Sequence, residues 1–256
     1  MAEFPSVESY FQFASSVQSQ WRFTRDEAQS AFLAAVLATS IKKREVLPAG
    51  SILYRAQLGC EWPTTEEEED GEAGPRGFPP ERMKPLRNRA SEGRVNPRGI
   101  PCLYTATRAE TAAAEVRPWM GAYISVAQLK TRRALTVVNC TSDDQRPIIH
   151  FAEPEPAERE IAVWRDIDRA FAQPVQRDEH SAEYAPTQVI AEAFRKQGMD
   201  GVGYRSSLGL GHNIALFDLD AADVINCTVH WVRGIRLDLP EVANRYFVKN
   251  PSESGI

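Results

Sequence analysis

The sequence carries no CxxC pair, no apolar run of membrane-spanning length and no excess of basic charge. Its four cysteines, Cys60, Cys102, Cys140 and Cys227, stand far apart, which argues against a zinc site and against a disulfide framework. Three sit in strand-like apolar surroundings and read as reduced packing residues. The four histidines, His150, His180, His212 and His230, show no metal-ligand spacing, so no metal is expected. A net charge of −5 and a pI near 5.5 exclude a general nucleic-acid binder, because phosphate-driven affinity needs a basic surface. The opening MAEFPSVESY lacks the basic start and apolar centre of a signal peptide. With no membrane segment either, the expected compartment is the cytoplasm. Also missing are a Walker A loop, a Rossmann glycine fingerprint and a GxSxG elbow, which removes the common nucleotide hydrolases, hydride-transfer folds and serine hydrolases.

What is present suits one domain with elaborations, or at most two small ones: 256 residues of ordinary globular composition, without internal repeats. Residues 1–50 read as a helical extension. Thr24 and Glu27 stand at capping-box spacing before a helical run, AFLAAVLATSIKK. Pro48 and Gly50 break the chain ahead of a strand, Ser51 to Ala56. Arg55 interrupts that strand, either as an edge residue reaching water or as a cation facing a cleft. Residues 60–92 form a long insertion, acidic from Glu66 to Asp70 and basic from Arg82 to Arg89, which reads as a solvated loop.

The stretch Gly93 to Trp119 is the most informative. A turn, Gly93-Arg94-Val95-Asn96-Pro97, leads into a short strand, Cys102-Leu103-Tyr104. Thr107 and Glu110 again stand at capping-box spacing, predicting a helix that Pro118 cannot continue. Ala109, Ala112, Ala113 and Val116 supply its apolar face, and Glu115 is the acid that it carries. Spacing alone favours an outward-pointing Glu115, since unpaired acids are rarely buried.

Beyond it, 122–129 and 134–140 are strand-like and 157–171 helical. Pro186 and Thr187 introduce a further helix that Gly198 closes. Two short strands, 202–206 and 214–217, flank a loop with Gly209 and Gly211. Two glycines are a weak phosphate signal, and a flexible hairpin loop is the default. A last strand is expected within 223–237, before a C-terminal tail, 239–256, that frays.

Four separated pieces together resemble the RES domain: Leu53-Tyr54-Arg55-Ala56; Gly93 to Pro97 with Leu103-Tyr104; Ala114-Glu115-Val116; and Tyr184 to Gln188 running into Gly201 to Ser206 and Asn213 to Phe217. Val95 stands where an aromatic residue is expected. The resemblance implies a domain over 51–238 and an α+β fold like that of ADP-ribosyltransferases, a split or mixed β-sheet core with flanking helices. It also implies a toxin of a bacterial toxin–antitoxin pair that consumes NAD+ as substrate, without a further cofactor. The family's Arg falls on Arg55, its Tyr on Tyr104, its Glu on Glu115 and its Ser on Ser206, with Ser207 adjacent and able to take the same place. Tyr54, Arg94, Asn96, Ser207 and Asn213 follow as candidate NAD+ contacts; Arg94, Asn96 and Asn213 read equally well as residues that satisfy local backbone groups.

Cleavage of the nicotinamide–ribose bond suits this set. The leaving group is already cationic, so no general acid is needed, and one carboxylate can both orient the ribose and face the developing oxocarbenium ion. That is the role expected for Glu115. Arg55 suits the pyrophosphate, Tyr104 a stacked nicotinamide ring, and Ser206 a hydrogen bond that fixes the acid. The ADP-ribose acceptor stays open between water, phosphate and a protein side chain, with net NAD+ depletion preferred. A catalytically silent binding module on the same fold is the alternative. An antitoxin covering the cleft is the expected protein partner, engaging Arg55 through carboxylates, and the extra segments, residues 1–50 and the loop after Cys60, suit tethering to a delivery system or to an inhibitor.

Overall fold

The computed structural model describes residues 3–63, 74–142, 152–173, 181–237 and 239–240. The acidic run Glu66 to Asp70, His150, His180 and the tail beyond 240 lie outside them. In chain order the elements are α1 (Ser9–Ser19), α2 (Glu27–Thr39), a 3-10 turn (Ser40–Lys43), β1 (Arg44–Leu47), β2 (Ile52–Leu58), β3 (Leu103–Ala106) and α3 (Ala109–Glu115). They continue as β4 (Tyr123–Thr131), β5 (Leu135–Asn139), α4 (Pro156–Ala172), a 3-10 turn (Ser181–Tyr184), α5 (Ala185–Lys196), β6 (Gly201–Arg205), β7 (His212–Leu216) and β8 (Ala222–Trp231). No helix among the described residues is long and apolar enough to cross a membrane.

The strands form one mixed sheet in the order β1-β5-β6-β7-β3-β2-β4-β8, parallel only between β5 and β6. β2 runs along β4 from Ile52↔Lys130 to Leu58↔Ile124, yet it meets β3 at the single pair Tyr54↔Ala106. The sheet therefore splits there into two leaves, β1-β5-β6-β7-β3 and β2-β4-β8. This is the α+β, split mixed sheet with flanking helices that the sequence led us to expect.

Local chemistry explains most of the elements. Pro186 sits in the first turn of α5, where a missing N–H costs no helical bond, and Gly198 at φ 79° ends that helix. Both expected capping boxes are corrected. α2 is capped by Asp26, whose carboxylate accepts the Gln29 amide at 2.7 Å, two residues after Thr24. α3 has no side-chain cap; the Thr107 hydroxyl instead accepts the His212 amide at 3.1 Å, at the start of β7. A seven-residue uncapped helix is not stable alone. Packing holds it, with Ala112 buried against Ala56, Ala106, Ile124 and Val126.

One face of the sheet carries the main core, where α1, α2, α4 and α5 pack with Val202, Tyr204 and Ala215. The expected helical extension, residues 1–50, is part of this core and contributes strand β1 as well. Phe13 stacks on Phe32 with ring centroids 4.3 Å apart, and β1 pairs with β5 from Arg44↔Val138 to Leu47↔Leu135. The other face buries Leu53, Leu103, Leu129, Leu135 and Leu216 beneath Phe78 and Met83. The insertion is thus not a solvated loop throughout. The Phe78 amide donates to Ser125 Oγ, and Phe78 and Met83 are buried as any core residue would be.

Asp200 ties β5 to the start of β6: its carboxylate accepts the Thr136 amide and the Arg133 guanidinium, both at 2.7 Å. Partial burial works to raise the pKa of this carboxyl, but Arg133 and the Thr136 amide prevail and hold it below its usual range. A carboxyl depressed by folding stabilises the native state above its unfolded pKa, near 4, and that contribution disappears as pH falls through the folded value. Asp200→Ala is expected to cost about 2 kcal/mol at pH 7 in a denaturant titration, and much less at pH 2.5. Phe32→Ala, which opens the α1–α2 packing, should cost about 3–5 kcal/mol and lower Tm accordingly.

Candidate active site

The turn Gly93 to Pro97 is fastened from three sides. Asn96 Nδ2 donates to the carbonyls of Ser91, Pro97 and Ile100, and its Oδ1 accepts the Tyr104 hydroxyl at 2.7 Å. Tyr104 Oη in turn accepts the Val95 amide at 3.0 Å. From the first turn of α5, Thr187 donates to the Arg94 carbonyl and Gln188 to those of Gly93 and Asn96. Gly93 is required here: a Cβ at that position would stand 2.5 Å from Tyr104 Oη. Val95 goes into the main core. Asn96, 2 % exposed, is engaged at both ends of its amide inside the protein and offers nothing to a ligand.

The product of this fastening is the position of Arg94. Its backbone is pinned, and its guanidinium reaches away from the turn to stand 3.9 Å from Glu115 Oε2 and 5.9 Å from the centre of the Tyr204 ring. Its Nε donates to the carbonyl of Gln173, just past the end of α4. The cation beside the acid is therefore Arg94, and among the described residues Arg55 makes no ion pair with it.

Glu115 closes α3 and turns back toward the sheet. Its Oε1 accepts the Ser206 hydroxyl at 2.8 Å and the Asn213 amide at 2.6 Å. Its side chain remains 25 % exposed, so the outward, solvated reading is corrected while one face stays open to a ligand. Of the two adjacent serines, Ser206 is the one that reaches Glu115, while Ser207 is exposed. The Ser206 Oγ accepts the amides of Leu208 and Gly209, both at 3.2 Å, which directs its proton to the carboxylate. These two amides are thereby used within the β6–β7 loop and are not offered to a phosphate. The loop is not free either. Thr111 of α3 donates to the Leu210 carbonyl, and a Cβ on Gly209 would lie 3.1 Å from Thr111 Cα.

Arg55 and Tyr54 occupy the split. Arg55 Nη1 donates to the Tyr104 carbonyl at 2.9 Å, and its Nε is buried without a hydrogen bond. Burial pulls its guanidinium below the ordinary arginine range, with the nearby Tyr104 phenol acting in the opposite sense. Tyr54 packs with Ala109, Ala113 and Val116 around the small apolar cluster under α3. Tyr104 holds the turn through its hydroxyl rather than standing free as a stacking platform, and burial, first of all, keeps its phenol well above the usual pKa. Tyr204 lies within the Gly201 to Ser206 piece of the resemblance without a role of its own there, and the structure places it beside Arg94. Burial raises its pKa most, Arg94 opposes that and Glu115 adds to it, so it stays a neutral phenol beside the ion pair.

A carboxylate is thus held by two neutral donors, with one cation beside it and a tyrosine below. The model of the RES domain matches residues 68–240, and the chain belongs to that family. The match includes Tyr104, Glu115 and Ser206, while Arg55 precedes it. No curated protein sequence matches significantly. Among solved structures, the chain is similar to one in the crystal structure of the M. tuberculosis MbcT–MbcA toxin–antitoxin complex, at 13 % identity and a TM-score of 0.41, over 76 % of this chain and 91 % of that one.

Tyr104→Phe should cost about 1–3 kcal/mol, because it leaves the buried Val95 amide and Asn96 carbonyl short of a partner; chemical denaturation measures it directly. A variant as stable as the parent would show that the turn does not depend on this hydroxyl.

Proposed function

We propose that this RES-family chain is a toxin that degrades NAD+ at Glu115. The observation that carries the reading is the state of that carboxylate: fixed in rotamer by Ser206 and Asn213, neutralised only loosely by Arg94 at 3.9 Å, and open on one side. Such a group is matched to a reaction that develops positive charge next to it. The C1″–N bond of the nicotinamide ribose breaks, its electron pair leaves with nicotinamide, and C1″ takes on oxocarbenium character. Glu115 stabilises that charge and hydrogen-bonds a ribose hydroxyl. An oxygen nucleophile then forms the new bond at C1″ and loses its proton. Ser206 acts by positioning the acid, since its own proton already points to the carboxylate and two amides occupy its oxygen. Arg94 and Arg55 are the donors for the pyrophosphate, as planar guanidinium groups suit phosphate oxygens.

The acceptor of ADP-ribose remains to be read from products, and net depletion of NAD+ is the form we favour. The protein partner that goes with a toxin of this family is an antitoxin that covers the open side of Glu115 and answers the two arginines with carboxylates.

Purified protein incubated with NAD+, with and without phosphate, should release nicotinamide, with mass spectrometry showing free ADP-ribose, ADP-ribose 1″-phosphate or a modified protein. Glu115→Gln should lower the rate by about 10²-fold or more with an unchanged Tm, because the amide keeps the hydrogen bonds and removes the charge. Ser206→Ala should lose less, on the order of tenfold, the worth of one hydrogen bond to a charged group, as expected for a residue that acts through Glu115. A Glu115→Gln protein with parental turnover would remove the carboxylate from the mechanism.

A further inference from the structure

Aromatic side chains crowd one end of the β2-β4-β8 leaf. Tyr123 and Trp231 are directly paired across β4 and β8, and Trp62 packs edge-on against Tyr123 with centroids 5.6 Å apart. The Trp231 indole donates to the Gly121 carbonyl at 3.1 Å, and the Trp119 carbonyl accepts the Ala122 amide. Among the described residues these rings keep much of their surface exposed: Trp62, Trp119, Met120 and Trp231 are 61 %, 64 %, 71 % and 56 % exposed. Trp62, Tyr123 and Trp231 adjoin one another and Trp231 is hydrogen-bonded to the turn that carries Trp119 and Met120, and large exposed apolar side chains grouped in this way ordinarily mark an interaction site. Tryptophan is also the residue most enriched where binding energy concentrates.

Two further observations say what fits there. Among the described residues basic charge outweighs acidic beside these rings: Arg117 and Arg233 are exposed near Trp119 and Trp231, with Arg233 5.9 Å from the centre of the Trp231 ring, against the one exposed acid Glu61 next to Trp62. And β8, ten residues long and outermost in the sheet, pairs among the described residues with β4 alone. Among the described residues no strand pairs with its outer edge, whose amides and carbonyls an extended chain can take up, although Gly77 lies close against the Cys227 carbonyl at its middle.

We propose that this rim docks an extended, acidic segment of a partner protein, which adds to the edge of β8, sets apolar side chains on Trp119 and Trp231, and pairs carboxylates with Arg117 and Arg233. The docking stands independently of NAD+ chemistry, although its place in the chain links the two. Glu115 is followed by Arg117, whose φ of 46° is a left-handed conformation that L-residues seldom adopt, and then by Trp119. Val116 and Val232 both pack on the small cluster beneath α3. A partner seated on the rim grips the segment that sets the end of the catalytic helix.

The test uses the full chain and a ten-residue peptide alternating Glu and Leu, with a Lys–Leu counterpart and phosphatidylglycerol vesicles as separate arms, read by tryptophan fluorescence and calorimetry. The acidic peptide is expected to bind saturably and shift the emission to the blue. Trp231→Ser should weaken it at least tenfold with Tm recorded alongside; Arg233→Glu, a surface change that cannot be mistaken for misfolding, should weaken it equally and raise affinity for the Lys–Leu peptide. Equal binding of both peptides to the parent, binding to vesicles without binding to peptide, unchanged affinity in Arg233→Glu, or sedimentation showing the rim buried between two copies of the chain would each overturn the proposal. Peptide binding is scored whether or not the protein consumes NAD+, so the two readings fail separately.

Discussion

The Glu115 carboxylate is held by neutral donors, and the rest of the site follows from that. A hydroxyl and an amide fix its orientation without cancelling its charge, and among the described residues the nearest cation stops at 3.9 Å. Had an arginine closed on it as a paired hydrogen-bonded fork, the charge would be compensated in the ground state and worth less to a developing cation. The support runs outward through the β6–β7 loop. Ser206 depends on the amides of Leu208 and Gly209, and that loop depends on Gly209 and on Gly211, at φ 106°, to lie close along α3. A helix too short to stand alone and a loop too close for side chains thus hold each other, and the acid sits at their junction.

The split between β2 and β3 is the second constraint. Where strands part, backbone groups lose their ladder partners, and Arg55 answers one of them by donating to the Tyr104 carbonyl. Tyr104 passes the restraint on to the turn that aims Arg94. Hydrogen bonds at the two ends of Tyr104, joined through its own covalent frame, therefore link the cation in the split to the turn that carries Arg94, although Arg55 and Glu115 do not touch.

Most of the fold was legible in the sequence, because strand alternation and the Pro186 and Gly198 signals are local. The two capping boxes failed for a local reason as well. Asp26 lay nearer the helix start than Thr24, and Thr107 found a better partner in the His212 amide, which only tertiary structure supplies. Phe78 and Met83 were hidden in a stretch whose charges argued for solvent, yet they help to cover the second face of the sheet together with Leu219 and Ala221. In the site, the resemblance picked out Glu115 and Ser206, which the fold joins directly. It could not say that Arg94 rather than Arg55 stands at the acid, nor that Asn96 is consumed by its own turn, because side-chain direction at a turn is set by what packs around it. Tyr204 carried no role of its own in the resemblance, and its place beside Arg94 comes from the fold.

The most direct test of this account is a structure of the Glu115→Gln variant, which keeps the shape of the side chain and lacks its charge, with NAD+ bound. It should show the nicotinamide ribose lying against the substituted side chain, a ribose hydroxyl within hydrogen-bonding distance of the new amide, and the pyrophosphate on Arg94 or Arg55. NAD+ seated instead in the 480 Å³ cavity between Arg195, Asp200 and Phe217, near the C-terminal ends of α5 and β7 and away from Glu115, would contradict it.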